Sequence, residues 1–391
     1  MGHFPNEKLL FSELIRYTHS SPSQRCSRRD ELLNYFSVNK NSLNVSCGPD
    51  RVFSHCQPYY LFSINMKQKR CSPYRLSPYT NASSPIQVTL ITQISMGRFD
   101  RMPYILKRWK GPMSIAVFVT LEEYSSFVNA ITPYLGLPIT FSVYIPLGLE
   151  HSSYFVRGNG KKTVFAHTLY PINLLRDMAI ESIHTTHFFC VDADFFFSDT
   201  VAKAIGNNMD LLKNDSSLLL FTTYQVSRWS PHFKSCKLRG KKCLTIWDSL
   251  PQNKVQLRRC VKRNRIQPIG SLFHTITNYK QWIRLETVKA YKTKVKRDIE
   301  PYIIMRRSIL NPIFHPYYIE YGYDKLEFFA RLMAYKRFRY FVLPQDFGID
   351  IPHKRSSYSR MFRQDRKVHI MSELARFEYD FLSQYSGSVS S

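Results

Sequence analysis

The chain has 391 residues, 44% hydrophobic and 15% aromatic, which supports a sizeable core and excludes both bulk disorder and a disulfide-dependent mini-protein. Lys and Arg number 55 against 29 Asp and Glu, a formal net charge of +26. Such a surface attracts polyanions, whether nucleic acid, anionic lipid headgroups, acidic glycans or nucleotide diphosphates, and charge by itself does not choose among them.

No apolar run approaches the roughly 20 residues that span a bilayer. The N-terminal MGHFPNEKLLFSELIRYTHSS has no apolar core of signal-peptide type, so as written the chain reads as soluble, without an anchor. Three sequons (Asn44-Val45-Ser46, Asn81-Ala82-Ser83, Asn214-Asp215-Ser216) and an even set of eight cysteines are compatible with the secretory lumen. Some disulfides are expected, with no pairing assigned. The absence of any CxxC pair argues against a structural zinc site.

Residues 1–85 are rich in Ser, Asn, Pro and Cys with little periodicity, and a boundary falls near Pro85. From Ile86 onward, strand-like and helix-like segments alternate. Residues 86–92 (IQVTLIT) read as a buried strand, 100–109 as a helix, 113–120 (MSIAVFVT) as a strand and 121–130 as a helix. Residues 139–145 (ITFSVYI) then read as a strand, 171–183 as a helix and 186–191 (THFFCV) as a strand. This alternation predicts a parallel α/β sheet, whose ligand crevice lies at the carboxyl ends of its strands.

At the end of the fourth of these strands stand Asp192 and Asp194, whose side chains can project toward the same side of an extended segment, as two carboxylates holding a divalent cation would. A D-x-D triplet is common, and a solvated strand-end turn is the alternative. Position favours function, because an apolar strand runs in, Phe195-Phe196-Phe197 runs out, and acids beside such a core need a counter-charge. In the preceding helix Pro171 suits the first position, and Leu174, Leu175, Met178, Ala179 and Ile183 form the apolar stripe. Asn173 and Arg176 share another face near the helix N-terminus, where a phosphate or sugar is favoured; a surface arginine is the alternative. Farther on, Asp324 precedes the helix-like LEFFARLMAY, where a cap is the ordinary role. Residues 341–344 read as a short strand leading to Asp350-Ile351-Pro352-His353.

Taken in order, these pieces resemble the LARGE-like glycosyltransferases, which include the glucuronyltransferase half of LARGE and beta-1,4-glucuronyltransferase 1. The resemblance runs from about residue 86 to 365 and rests on eight ordered blocks: VTLITQISMGRFDRM, WKGPMSIAVFV, LYPINLLRDMA, FFCVDADFF, TNYKQW, EPYIIMRR, YGYDK and FVLPQDFGIDIPH. It implies a GT-A fold with a mostly parallel central sheet flanked by helices over residues 86–365, and a C-terminal helix and tail at 366–391. It also implies a UDP-sugar donor, a divalent ion, usually Mn2+, and inversion at the anomeric carbon.

Residue by residue, the resemblance makes Asp192, Asp194 and His353 the metal ligands, and Thr92, Gln93, Arg98, Asn173 and Arg176 the donor-binding residues. Asp324 is the first candidate for general base and Glu320 the second. Three positions depart from relatives: Asp324 stands where Asn can occur, Asp350 where a histidine is frequent, and Asp177 where Asn is frequent. The family is typically Golgi-resident and type II anchored, and only one transferase module fits in this chain.

The expected donor is UDP-glucuronate, with UDP-GlcNAc or UDP-xylose as alternatives. Arg98, Arg306 and Arg307 are candidates to favour a carboxylate-bearing donor or acceptor. The expected acceptor is a glycan, possibly acidic. A non-catalytic glycan-binding scaffold of the same fold is the second reading. A nucleic-acid partner is not expected, because no RNP-type stacking motif accompanies the charge.

Overall fold

The computed structural model describes residues 59–65, 87–120, 122–134, 137–146, 151–158, 161–168, 170–230, 249–269, 275–295, 299–308, 311–312, 314, 324–334 and 338–353. Glu320, the sequons at Asn44 and Asn81, six of the cysteines and the expected helix at 366–391 lie outside the described residues. Among the described residues no helix is long and apolar enough to cross a membrane.

The strands are β1 (Tyr59–Asn65), β2 (Val88–Ser95), β3 (Met113–Phe118), β4 (Ile139–Pro146), β5 (His151–Gly158), β6 (Lys161–Thr168), β7 (His187–Cys190), β8 (Phe195–Phe197), β9 (Ser217–Val226), β10 (Ile266–Pro268), β11 (Tyr291–Thr293), β12 (Tyr302–Arg306) and β13 (Arg339–Asp350). The helices are α1 (Met102–Arg108), α2 (Tyr124–Ile131), α3 (Ile172–Glu181), α4 (Val201–Asn207), α5 (Met209–Leu212), α6 (Lys254–Lys262), α7 (Tyr279–Trp282) and α8 (Asp324–Ala334). An eleven-stranded sheet runs in the order β1-β4-β3-β2-β7-β12-β9-β13-β11, with β10 paired to β9 and β8 to β13; β5 and β6 form a separate hairpin.

The predicted strands at 86–92, 113–120, 139–145 and 186–191 become the parallel block β4-β3-β2-β7. They read as continuous apolar runs because both faces of the sheet are covered. Alternate residues serve the two faces. Ile91, Ala116 and Phe188 pack with Leu175, Met178 and Ala179 of α3, whereas Leu90, Ile115 and Phe189 pack with Phe99, Met102, Ile105, Phe127 and Ile131.

Beyond β7 the sheet is mixed: β12 is antiparallel to both β7 and β9, and β13 is parallel to β9. It follows that β2, β3, β4, β7, β9 and β13 all end at the same edge of the sheet, where β12 begins. The sheet's outer edge strand, β1, comes from before the boundary drawn at residue 85 and pairs antiparallel with β4.

Local chemistry shifts several element boundaries. The helix expected over 100–109 is a 3-10 segment, Met96–Arg101, running into α1, with Pro103 in the first turn. The short strand expected at 341–344 is the twelve-residue β13, whose pairing with β9 is irregular between Val342 and Phe347. Pro344 falls inside that irregularity, where its missing N–H costs no ladder bond.

Candidate active site

β7 is four buried apolar residues, after which the chain leaves the sheet at Val191-Asp192 and turns back, with the Phe195 N–H donating to the Asp192 carbonyl at 3.0 Å. The returning β8 pairs antiparallel with the end of β13, setting Phe195 opposite Asp350, and the Ile351 N–H donates to the Asp194 carbonyl at 3.2 Å. That register carries His353 to the acidic turn: its Nδ1 lies 3.5 Å from Asp194 Oδ2.

Asp192 and Asp194 have separate partners. Asp192 Oδ2 accepts from Tyr302 Oη at 2.8 Å and Lys325 Nζ at 2.7 Å, and Oδ1 accepts from Arg176 Nη2 at 3.1 Å. Burial is the largest influence on this carboxyl and pushes its pKa up, but Lys325, Arg176 and the Tyr302 hydroxyl outweigh it and hold Asp192 well below the usual carboxylate range. Asp194 accepts from Arg98 Nη1 at 2.6 Å and is paired with Arg101 as well. Both arginines come from the 3-10 segment that follows β2.

Arg176 connects this site to α8. One guanidinium nitrogen donates to Asn173 Oδ1 at 2.9 Å and pairs with the Asp324 carboxylate, while the other reaches Asp192. Burial disfavours the charged guanidinium, yet Asp324 and Asp192 raise its pKa. Lys325, next to Asp324, pairs with Glu300 at 2.8 Å as well as with Asp192.

Two further groups complete the edge. Burial, and then the nearby Asp192 charge, push the Asp350 carboxyl up to about 7. Burial, with Arg98 next in weight, lowers His353 to about 4, so its imidazole is neutral near pH 7, the form that ligates metals. Thr92 and Gln93 are buried at the end of β2; Gln93 Oε1 accepts from the Tyr170 hydroxyl, and Thr92 Oγ1 has no hydrogen-bond partner among the described residues.

The structure therefore brings together Arg98, Asn173, Arg176, Asp192, Asp194, Asp324 and His353, with Thr92 and Gln93 at the end of the adjoining strand. Two expectations are corrected. Asn173 and Arg176 are buried, while Leu174 of the expected apolar stripe is only half-buried, because the carboxylates of Asp192 and Asp324 draw the arginine inward. Arg306 and Arg307 do not join the site. They lie at the end of the antiparallel β12, at the opposite edge of the sheet, where Arg306 pairs with Asp215 at 2.6 Å and Arg307 donates to the Ile183 carbonyl at 3.1 Å.

Arg101, Glu300, Tyr302 and Lys325 were not foreseen as site members. The EPYIIMRR block contains two of them, but only the reversed direction of β12 shows that its beginning faces the crevice. Among the described residues no three His, Cys, Asp or Glu side chains converge as a metal-holding group, because Asp192 is turned toward Lys325 and Arg176 while Asp194 and His353 face each other.

An α/β sheet with acids, arginines and a neutral imidazole at its carboxyl edge places reactive groups where open α/β sheets bind their ligands. The chain belongs to the glycosyltransferase family described as "Glycosyl-transferase for dystroglycan", whose profile matches residues 87–139 and 149–386. It is 25% identical over 282 residues to the mouse (Mus musculus) xylosyl- and glucuronyltransferase LARGE2, covering 71% of this chain and 36% of that protein. It is 24% identical over 315 residues to the human (Homo sapiens) xylosyl- and glucuronyltransferase LARGE1, covering 77% of this chain and 36% of that protein. The chain thus spans about a third of the length of these relatives. Among solved structures, TarS 1–349 of S. aureus in complex with UDP-GlcNAc superposes with a TM-score of 0.37 and 12% identity, over 77% of this chain and 71% of that one.

Proposed function

We propose that the protein is a metal-dependent inverting glycosyltransferase that moves glucuronic acid from UDP-glucuronate onto a glycan hydroxyl of a glycoprotein in the Golgi lumen. The observation that carries this reading is the pairing of Asp194 with Arg98, Arg101 and a neutral His353 at the carboxyl edge of the sheet. Family membership and the names of the relatives support the transferase class and the choice of glucuronate. Two arginines beside the acidic turn suit both a diphosphate and a uronate carboxylate, which Arg binds bidentately.

The donor atoms are of the kinds that suit Mn2+, carboxylate oxygen from Asp192 and Asp194 and imidazole nitrogen from His353, and the three would hold the ion with Asp192 turned away from Lys325 and Arg176. Such an ion, when bound, supplies Lewis-acid neutralisation of the diphosphate's charge. The chain's own residues do the rest. Arg98 and Arg101 bind phosphate oxygens, and Thr92 and Gln93 line the donor's side of the crevice. Asp324, or Glu320 as the second candidate, takes the proton from the acceptor hydroxyl as its oxygen bonds to C1 and the bond from C1 to the UDP oxygen breaks. Arg176, shared between Asp324 and Asp192, holds the base in register with the acidic turn.

The test is thermal unfolding with UDP-glucuronate, UDP-GlcNAc and UDP-xylose, with and without Mn2+, since a ligand of the native state raises apparent stability. The expected result is a Mn2+-dependent shift largest with UDP-glucuronate, accompanied by slow hydrolysis of that donor. Dystroglycan, named in the family's description, is the first acceptor to assay. Glycan binding with neither donor binding nor hydrolysis would instead identify a scaffold of the same fold.

A further inference from the structure

We propose that the turn after β9 is an acceptor subsite for an acidic oligosaccharide, with Trp229 as a stacking platform and Arg228 and Arg265 as the carboxylate-binding groups. The inference rests on the transferase reading above and extends it to the other substrate.

Trp229 is 83% exposed, whereas Trp109 and Trp282 are buried at 3% and 0%. Its backbone is firmly held. The Ser230 N–H donates to the Ser227 carbonyl at 2.9 Å, closing the turn, and the Trp229 N–H donates to Ser227 Oγ at 3.3 Å. Ser227 is pinned in turn by donating its N–H to the Arg265 carbonyl at 2.9 Å, and both serines are buried. A fixed turn that presents a large, flat, apolar ring to water is suited to the apolar C–H face of a pyranose ring. The indole N–H adds a polar contact.

The surroundings determine the ligand's charge. The span formed by the described residues 217–230 and 249–269 holds seven Lys and Arg and no Asp or Glu. Within that span Arg228, Lys262, Arg263 and Arg265 are exposed, and Arg228 and Arg265 flank the turn through the Ser227 contact. Arginine forks match carboxylates bidentately, so uronate or other acidic sugars fit and neutral chains do not.

The position relates the turn to the chemistry. β9 and β13 are parallel with Gln225 opposite Asp350, so Trp229 follows β9 at the same edge where His353 follows β13. The stacking platform and the acidic turn thus share one edge of the sheet.

Calorimetric binding to the full chain tests this with three probes: an unsulfated chondroitin hexasaccharide, neutral chitohexaose, and oligothymidylate of similar charge. The proposal expects the uronate hexasaccharide to bind best. Trp229→Ala should weaken it about tenfold or more, in the range measured for loss of one aromatic stacking partner. Trp229→Phe should restore most of the affinity, and the Arg228→Ala/Arg265→Ala double variant should weaken the uronate probe more than the neutral one. Failure of the native chain to bind, equal affinity of native and Trp229→Ala, equal affinity for chitohexaose, or equally Trp229-dependent binding of oligothymidylate would each overturn it. UDP binding measured on the same native samples separates the two readings: its loss sinks the transferase reading, whatever the hexasaccharide does.

Discussion

The ring of Phe195 occupies the space where a side chain on residue 348 would stand. A Cβ built at Gly348 collides with Phe195 Cε1 and Cζ, and the same ring stacks on Tyr302 at 4.0 Å between centroids. Tyr302 in turn donates to Asp192, and Phe195 directly follows Asp194. The glycine thus lets β13 approach closely enough for one aromatic ring to set both acids.

Gly348→Ala should therefore destabilise the protein by roughly 1–3 kcal/mol, the usual cost of forcing extra volume into a packed core. It should also reduce the Mn2+-dependent UDP-sugar shift. Urea denaturation checks the first effect. Combining it with Phe195→Leu should recover part of the lost stability, and a double variant no better than the sum of the single ones would count against this packing relationship.

Arg176 serves two carboxylates from different parts of the chain, Asp324 and Asp192. Arg176→Met leaves both acids short of a partner and should cost about 3–5 kcal/mol, the range for breaking a buried ion pair. Arg176→Lys should also be strongly destabilised, because an ammonium lacks the planar fork that reaches both acids. Denaturant titration of Arg176→Met, Asp324→Asn and the Asp324→Asn/Arg176→Met double variant measures the coupling; additive losses would show that the pair is not a unit.

Asp194→Asn keeps the side chain's size but removes the charge that pairs with Arg98 and Arg101. The variant should fold and still bind UDP through the arginines, yet lose the Mn2+-dependent part of the thermal shift and donor hydrolysis. Fluorimetric melting with and without Mn2+ reads the first outcome and UDP release the second. A retained Mn2+ dependence would move the metal away from this acid.

His187 supplies a pH prediction at some distance from the acidic turn. Its buried ring lies with Nε2 3.1 Å from the Leu212 carbonyl and Nδ1 2.9 Å from Thr186 Oγ1. Burial, the largest influence, lowers its pKa to about 4, against an unfolded value near ~6.5. The folded state thus disfavours the proton, so the contribution is fully present above pH ~6.5 and is lost as pH falls through about 4. Its size is at most about 3 kcal/mol at one pKa unit per 1.36 kcal/mol. Denaturation at pH 7 and pH 4.5 should show a steeper loss for the native chain than for His187→Gln.

Much of the fold was legible because its signals are local. Runs such as MSIAVFVT and ITFSVYI are short, apolar and rich in β-branched or aromatic residues, and they became β3 and β4 close to their expected bounds. Asp192 and Asp194 stood out for a similar reason, as charges set abruptly between apolar segments. The strand read at 341–344 was too short, since the β-irregularity between Val342 and Phe347 accommodates Pro344 and lets β13 run for twelve residues.

By itself, then, the sequence determined which segments are buried strands and helices, where the acids, arginines and His353 stand along the chain, and how basic the surface is. Those properties follow from periodicity, composition and order, which are one-dimensional. Only the tertiary structure decided that β12 runs backwards, presenting Tyr302 to the site and carrying Arg306 away from it. Tertiary contacts likewise turned Arg176 inward onto two acids and left Trp229 standing in water. Strand direction, the balance of charges in a shared low-dielectric space, and exposure at a turn depend on contacts between residues far apart in the chain.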